Sequence, residues 1–129
     1  MHIPDRLLLQ VNTVKKEDVK TEQDVIQYLK DWSDFERRVY IACYRIPYGK
    51  VSTYHRVAEK IGRPKAMRAV ANALHNNPLY PTVPCWRVVK SDGGFGGEEK
   101  AAAGRRERVE SEGVPVRNGK VIMSEDIVR

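Results

Sequence analysis

Cys85 follows Pro84, precedes Trp86 and Arg87, and the run continues into Val88-Val89. Three chemically capable groups therefore stand side by side. A thiol can act as nucleophile, an indole can wall a pocket, and a guanidinium can pair with a phosphate or an internal carboxylate. The same residues also suit a protein interior, where a Cys-Trp pair opens a strand. A glycine-rich loop, Ser91-Asp92-Gly93-Gly94-Phe95-Gly96-Gly97, follows directly. The second thiol, Cys43, falls on a helical apolar stripe with Phe35, Val39 and Ala42, which assigns it to the core. There is no C-x-x-C, and His2, His55 and His75 have no ligand-like spacing with the cysteines. Neither a disulfide framework nor a metal site is expected, no cofactor is implied, and free thiols fit a reducing compartment.

The rest of the chain must position that cluster. Its 129 residues are enough for one domain with a real core, and 41% hydrophobic with 31% charged residues describes a globular chain. No apolar run approaches a membrane span, and Met1-His2-Ile3-Pro4-Asp5-Arg6 lacks the apolar region of a signal peptide. The expected location is intracellular, in the cytoplasm or the nucleus. A net charge of +6 makes nucleic acid the leading partner class and a membrane none.

In chain order, Leu7-Leu8-Leu9 reads as a short strand or an ordered arm. Thr21 with Asp24 marks a helix start, followed at helical spacing by Val25, Ile26, Leu29 and Trp32. Ser33-Asp34 begins a second helix that ends before Pro47. Ser52 or Thr53 caps a third, carrying Tyr54, Val57, Ala58 and Ile61. Gly62-Arg63-Pro64 breaks it, and Pro64 is expected at the first position of a helix running through His75. Two short helices across a Gly-containing turn make a helix-turn-helix, whose Ala-rich second helix carries Arg68. Two packed helices with a solvated arginine would read the same way. A strand is expected at Cys85, a charged helix over about residues 100–111, and a left-handed cap at Gly113. Asn118-Gly119 between Val114–Arg117 and Lys120–Met123 predicts a type I′ hairpin, with a frayed end after it. The expected fold is mostly α with a small β component. A domain over 34–129 follows an arm and short helix of unknown role over 1–33.

Residues 35–113 resemble the DNA-binding, active-site domain of the O6-alkylguanine-DNA alkyltransferases and their alkyltransferase-like relatives. Phe35–Tyr40, Ile46–Tyr54, Val57-Ala58, Ile61-Gly62, Ala66–Leu74, Asn77-Pro78, Val83–Val89 and Glu112-Gly113 occur in family order with family spacing. The resemblance implies a winged helix-turn-helix that binds the DNA minor groove and flips O6-alkylguanine into a pocket. A cysteine thiolate then takes the alkyl group irreversibly, so the protein acts once. The family motif is Pro-Cys-His-Arg, in which the His relays a proton between the Cys and a Glu. Here Cys85 keeps the nucleophile position and Glu112 the Glu position, but Trp86 stands where the His belongs. An indole N–H donates and has no basic nitrogen, so Trp86 cannot accept the Cys85 proton. The segment Gly96-Gly97-Glu98-Glu99-Lys100 also lacks the Tyr-Ser that closes the enzymes' loop over the base.

Alkyltransferase-like proteins replace the Cys and bind the lesion without repairing it, marking it for nucleotide excision repair. Ala103-Gly104-Arg105-Arg106 and Glu112-Gly113-Val114 resemble that branch, whereas Cys85 resembles the enzymes. The resemblance thus implies either a single-turnover methyltransferase or a damage sensor. A winged-helix regulator is the third reading. Implied partners are double-stranded DNA containing O6-alkylguanine and, for the sensor, excision-repair proteins; a monomer is expected. By the same resemblance Tyr54 pushes on the phosphate beside the lesion, while Arg68 intercalates or contacts phosphate. Thr53 is a further expected DNA contact, and Lys65, Arg63 and the amides of Ala66 and Met67 are generic phosphate candidates. Ser91 and Tyr54 line the lesion pocket, Trp86 either lines it with them or fills the space left by the relay, Asn77 supports the Cys85 loop, and Arg87 pairs with an acid.

Overall fold

The computed structural model describes residues 14–129, so the Leu7–Leu9 run lies outside the described residues. A 3-10 turn at Lys16–Asp18 leads to α1 (Glu22–Tyr28), whose start is fixed by a reciprocal capping box between Thr21 and Asp24. Val25 and Leu29 of this segment are fully buried, but Ile26 is 39% exposed and Trp32 lies past the helix end, stacked on Tyr28. The stripe expected through Trp32 is therefore shorter than its spacing suggested. Helix α2 (Asp34–Tyr44) starts with a second capping box, Ser33 with Glu36, and buries Val39, Tyr40 and Cys43.

Strand β1 (Ser52–Thr53) feeds directly into α3 (Tyr54–Lys60), and the Thr53 hydroxyl accepts from the Arg56 amide as its cap. Helix α4 (Met67–His75) begins later than Pro64. The Ala66 amide donates to the Arg63 carbonyl at 2.9 Å, so residues 64–66 form a turn. Val70, Ala73 and Leu74 give α4 its buried face, and the Tyr40 hydroxyl donates to the Ala73 carbonyl at 2.8 Å, tying α4 to α2.

Cys85 is not in a strand. Cys85–Arg87 forms a 3-10 turn and the strand, β2, covers only Val88–Val89. Pro84 sets the entry, and the turn closes through the Arg87 amide to the Pro84 carbonyl at 3.0 Å. β2 pairs in parallel with β1, Ser52 opposite Val88 and Thr53 opposite Val89. The strand leaving the cysteine is thus hydrogen-bonded to the strand entering the helix-turn-helix, which fixes one against the other. Helix α5 (Glu99–Ser111) follows the glycine-rich loop and ends at Glu112. The wing is β3 (Val116–Arg117) against β4 (Lys120–Val121), turned by Asn118 (φ 52°) and Gly119 (φ 76°), both left-handed as a type I′ turn needs. The Val121 amide donates to the Gly93 carbonyl, joining wing to loop.

The end of the chain is held, contrary to the frayed end expected. Val51 donates to the Ile127 carbonyl at 2.9 Å and accepts from the Arg129 amide at 2.7 Å. The fold is mostly α with a small β component, a winged helix-turn-helix around one core that runs from Val19 to Val121. Among the described residues no helix is long and apolar enough to cross a membrane.

Candidate active site and nucleic-acid interface

Glu112 is the electrostatic centre of the site. It caps the end of α5 with a side chain only 5% exposed. The Arg87 guanidinium pairs with it through Nε at 2.9 and 3.1 Å and through a terminal nitrogen at 3.0 Å. The Gly49 amide donates to Oε1 at 2.9 Å and the Trp86 indole N–H to Oε2 at 2.8 Å. Burial works against the charged carboxylate. The donors outweigh it, Arg87 first and then Gly49 and Trp86, and hold the Glu112 pKa below the usual carboxylate range. Arg87 also donates to the Ile46 carbonyl at 2.8 Å, so the Cys85 turn, the 46–49 loop and the end of α5 meet in one network.

Cys85 is 6% exposed and lines a cavity of about 590 Å³ between the 77–86 loop and α5. Leu74, His75, Asn77, Tyr80, Trp86, Arg105 and Arg108 share that wall. Asn77 holds the loop by donating to the Val83 carbonyl at 2.7 Å and accepting from the Leu79 amide at 2.9 Å. Cys43 is wholly buried, and desolvation pushes its thiol well up.

One feature that sequence reading missed is the stack over Trp86. The Arg108 guanidinium lies 4.2 Å from the Trp86 ring centroid, and Tyr80 meets the same ring edge-on at 5.7 Å. Arg108 also donates to the Tyr80 hydroxyl at 2.9 and 3.1 Å. The signal available was helical spacing, since Arg108 lies one turn before Glu112 on α5 and so shares its face.

The residues expected to form a single lesion pocket divide between two cavities. Cys85 and Trp86 line the first. Tyr54 and Ser91 line a second, of about 360 Å³, with His55, Met67, Arg68, Lys90, Gly96 and Gly97. His75 lines both and forms the wall they share. Its Nε2 lies 3.1 Å from the Tyr54 hydroxyl. Desolvation and then Arg105 lower the His75 pKa, which leaves the imidazole neutral near pH 7. Tyr54 is 8% exposed, and burial raises its phenol pKa.

Arg68 and Lys65 are exposed on the α4 side, as is Met67 at 42%. Thr53 is buried with its hydroxyl committed to the α3 cap, and the Ala66 amide is used by Arg63. Among the described residues no group of three or more His, Cys, Asp or Glu is arranged to hold a metal ion.

With this geometry in place, residues 34–114 match the family described as 6-O-methylguanine DNA methyltransferase, DNA-binding domain. The chain belongs to that family. A methylated-DNA–protein-cysteine methyltransferase of Mycolicibacterium paratuberculosis is 45% identical over 80 residues, which are 60% of this chain and 48% of that protein. One from Methanosarcina barkeri is 40% identical over 74 residues, 57% of this chain and 47% of that protein. The chain spans about half the length of these curated relatives. Among solved structures, S. pombe Atl1 in complex with damaged DNA containing O6-carboxymethylguanine superposes with TM-score 0.62 at 33% identity, covering 70% of this chain and 89% of that one. Mycobacterium tuberculosis OGT in complex with DNA gives TM-score 0.58 at 39% identity, covering 62% and 50%.

Proposed function

We propose that this chain is a DNA alkylation-damage protein: it binds duplex DNA in the minor groove through its helix-turn-helix, flips O6-alkylguanine out of the stack and lodges it against Cys85. The observation that carries this is the cavity of about 590 Å³ walled by Cys85 and bordered by the Asn77 loop, spacious enough for a flipped base. Arg68 and Lys65 supply contacts to the duplex, with residues 34–129 as the DNA-binding unit and an intracellular, monomeric site of action.

The chemistry open to Cys85 is displacement. A bond forms from Sγ to the alkyl carbon as the carbon–O6 bond breaks; the electron pair stays on the base, and the thiol proton ends on guanine N1. No cofactor is consumed. Glu112 accepts from Trp86, Arg87 and Gly49 and gives Cys85 no relay. Without the relay, transfer runs roughly 10²–10⁴ times slower than with general-base help. The same commitment of Glu112 favours a second reading, a damage sensor that hands the lesion to excision-repair proteins.

Intact mass after incubation with an O6-methylguanine duplex, with Cys85→Ala as control, decides between them. Gain of one methyl that vanishes in the variant establishes transfer. No gain, with binding selective for the lesion, establishes the sensor. Absence of both the mass gain and the lesion selectivity overturns both readings and leaves a winged-helix DNA binder.

A further inference from the structure

We propose that a groove along α2, separate from both cavities described above, docks an acidic amphipathic helix of a partner protein. Arg38, Ile41, Ala42 and Arg45 recur at the spacing that puts side chains on one helical face, while Val39, Tyr40 and Cys43 go to the core. Ile46, Pro47, Lys60, Ile61 and Arg129 complete a groove of about 550 Å³ on that face. It shares no lining residue with the Cys85 cavity or the Tyr54 cavity. Its floor is apolar, from Ile41, Ala42 and Pro47 to Ile61, and the four cations around it face no carboxylate in the lining.

Those cations can turn to an arriving acid. Arg38 pairs with Asp34 at 2.9 Å and Arg45 with Glu22 at 2.6 Å, but both pairs lie at the surface, where such contacts contribute little and exchange readily. Lys60 donates to the main-chain oxygen of Arg129 at 2.8 Å, and the Arg129 guanidinium donates to the Glu125 and Val128 carbonyls. Among the described residues neither Lys60 nor Arg129 forms an ion pair with a side-chain carboxylate. Burial and then Arg56 lower the Lys60 pKa, an effect that a carboxylate beside it offsets.

The floor decides between partners. A DNA backbone uses donors and gains nothing from Ile41 or Pro47, whereas an amphipathic helix lays apolar anchors on such a floor and its acids on the rim. Arg38 and Arg45 stand about 10 Å apart along α2, a span of roughly two helical turns in the partner. The Ile46 carbonyl also accepts from Arg87, the partner of Glu112, so a docked helix would sit beside the network that holds the Cys85 turn.

The test selects phage-displayed random peptides of roughly 15 residues, about four turns of helix, on the full chain in excess unmodified duplex. Enriched peptides are expected to be rich in Asp and Glu, with apolar residues at helical spacing. Their affinity, measured by anisotropy, should fall about tenfold with Lys60→Glu plus Arg129→Glu, and at least as far with Ile41→Glu. Lys60 and Arg129 are exposed, so the charge variant reports even if Ile41→Glu does not fold. Duplex affinity should stay the same in the charge variant. No enrichment, enrichment without acidic bias, or binding that survives the charge variant each overturns the proposal. Displacement of the peptide by duplex, with equal loss of duplex and peptide binding in the variant, also overturns it and assigns the groove to DNA.

Discussion

The Trp86 indole N–H donates to Glu112 Oε2 at 2.8 Å, which puts a pure donor beside Cys85 and against the buried carboxylate. A histidine at that position could donate to Glu112 through one nitrogen and accept from Cys85 through the other. Indole can do only the first. The network therefore keeps its structural half and loses its proton-transfer half.

Trp86→His should accordingly restore a base next to Cys85. Transfer from an O6-methylguanine duplex, followed by intact mass under single-turnover conditions, is expected to accelerate roughly 10²-fold or more. A folded variant with an unchanged rate would mean that the missing relay is not what limits Cys85.

Glu112→Gln leaves Arg87, whose side chain is 14% exposed, without its counter-charge. The expected loss at neutral pH is about 3–5 kcal/mol of unfolding free energy, the usual result of stripping one partner from a buried pair. Because folding depresses the Glu112 pKa from 4.5, its stabilising contribution is complete above the unfolded value and fades as pH falls through the lower, folded value. Urea unfolding of parent and variant should thus differ most near pH 7 and converge in the acid range below about pH 4.5. A gap that stays constant down to pH 3 would rule out the charge as its origin.

Gly96→Ala tests how closely the loop packs on Tyr54. A Cβ at residue 96 would sit 2.5 Å from the Tyr54 hydroxyl and 3.1 Å from His75 Nε2, so the loop or the ring pair must move. A loss of about 1–3 kcal/mol is expected, read as a lower thermal midpoint. An unshifted midpoint would show that the loop accommodates the methyl without cost.

Arg68→Ala separates intercalation from phosphate contact. Intercalation into the vacated stack predicts a larger loss for the O6-methylguanine duplex than for the undamaged one. A phosphate contact predicts equal losses and a salt slope smaller by about one. The first outcome is expected, since Arg68 is exposed and lines the Tyr54 cavity. Anisotropy titrations at several salt concentrations distinguish the two.

Much of the frame was legible because it is local chemistry. Thr21, Ser33 and Thr53 cap where short polar side chains should, and Asn118-Gly119 turns the wing. The misplaced boundaries have non-local causes. Pro64 suits a helix start, but the Arg63 carbonyl captures the Ala66 amide and delays α4 to Met67. Cys85 looked like strand because valines follow it, yet the pairing available on β1 reaches only Val88 and Val89. The final residues have no local reason for order and are fixed by Val51, far away in sequence.

The site divided along the same line. That Arg87 would seek an acid follows from its chemistry, whereas the choice of Glu112 as that acid is made by the fold. The division of Tyr54 and Cys85 between two cavities depends on where His75 sits, and no spacing rule contains that. The Arg108–Trp86–Tyr80 stack needs a loop and a helix brought together by the fold.

The two thiols also give the molecule a pair of independent chemical clocks. Cys85 faces a cavity, whereas Cys43 is wholly buried on α2. In native buffer a thiol-reactive reagent should add once, at a rate that bound DNA suppresses. The second addition must wait for opening of the core, so its rate counts unfolding events. One mass spectrum taken over time would then report pocket occupancy from the first label and domain opening from the second.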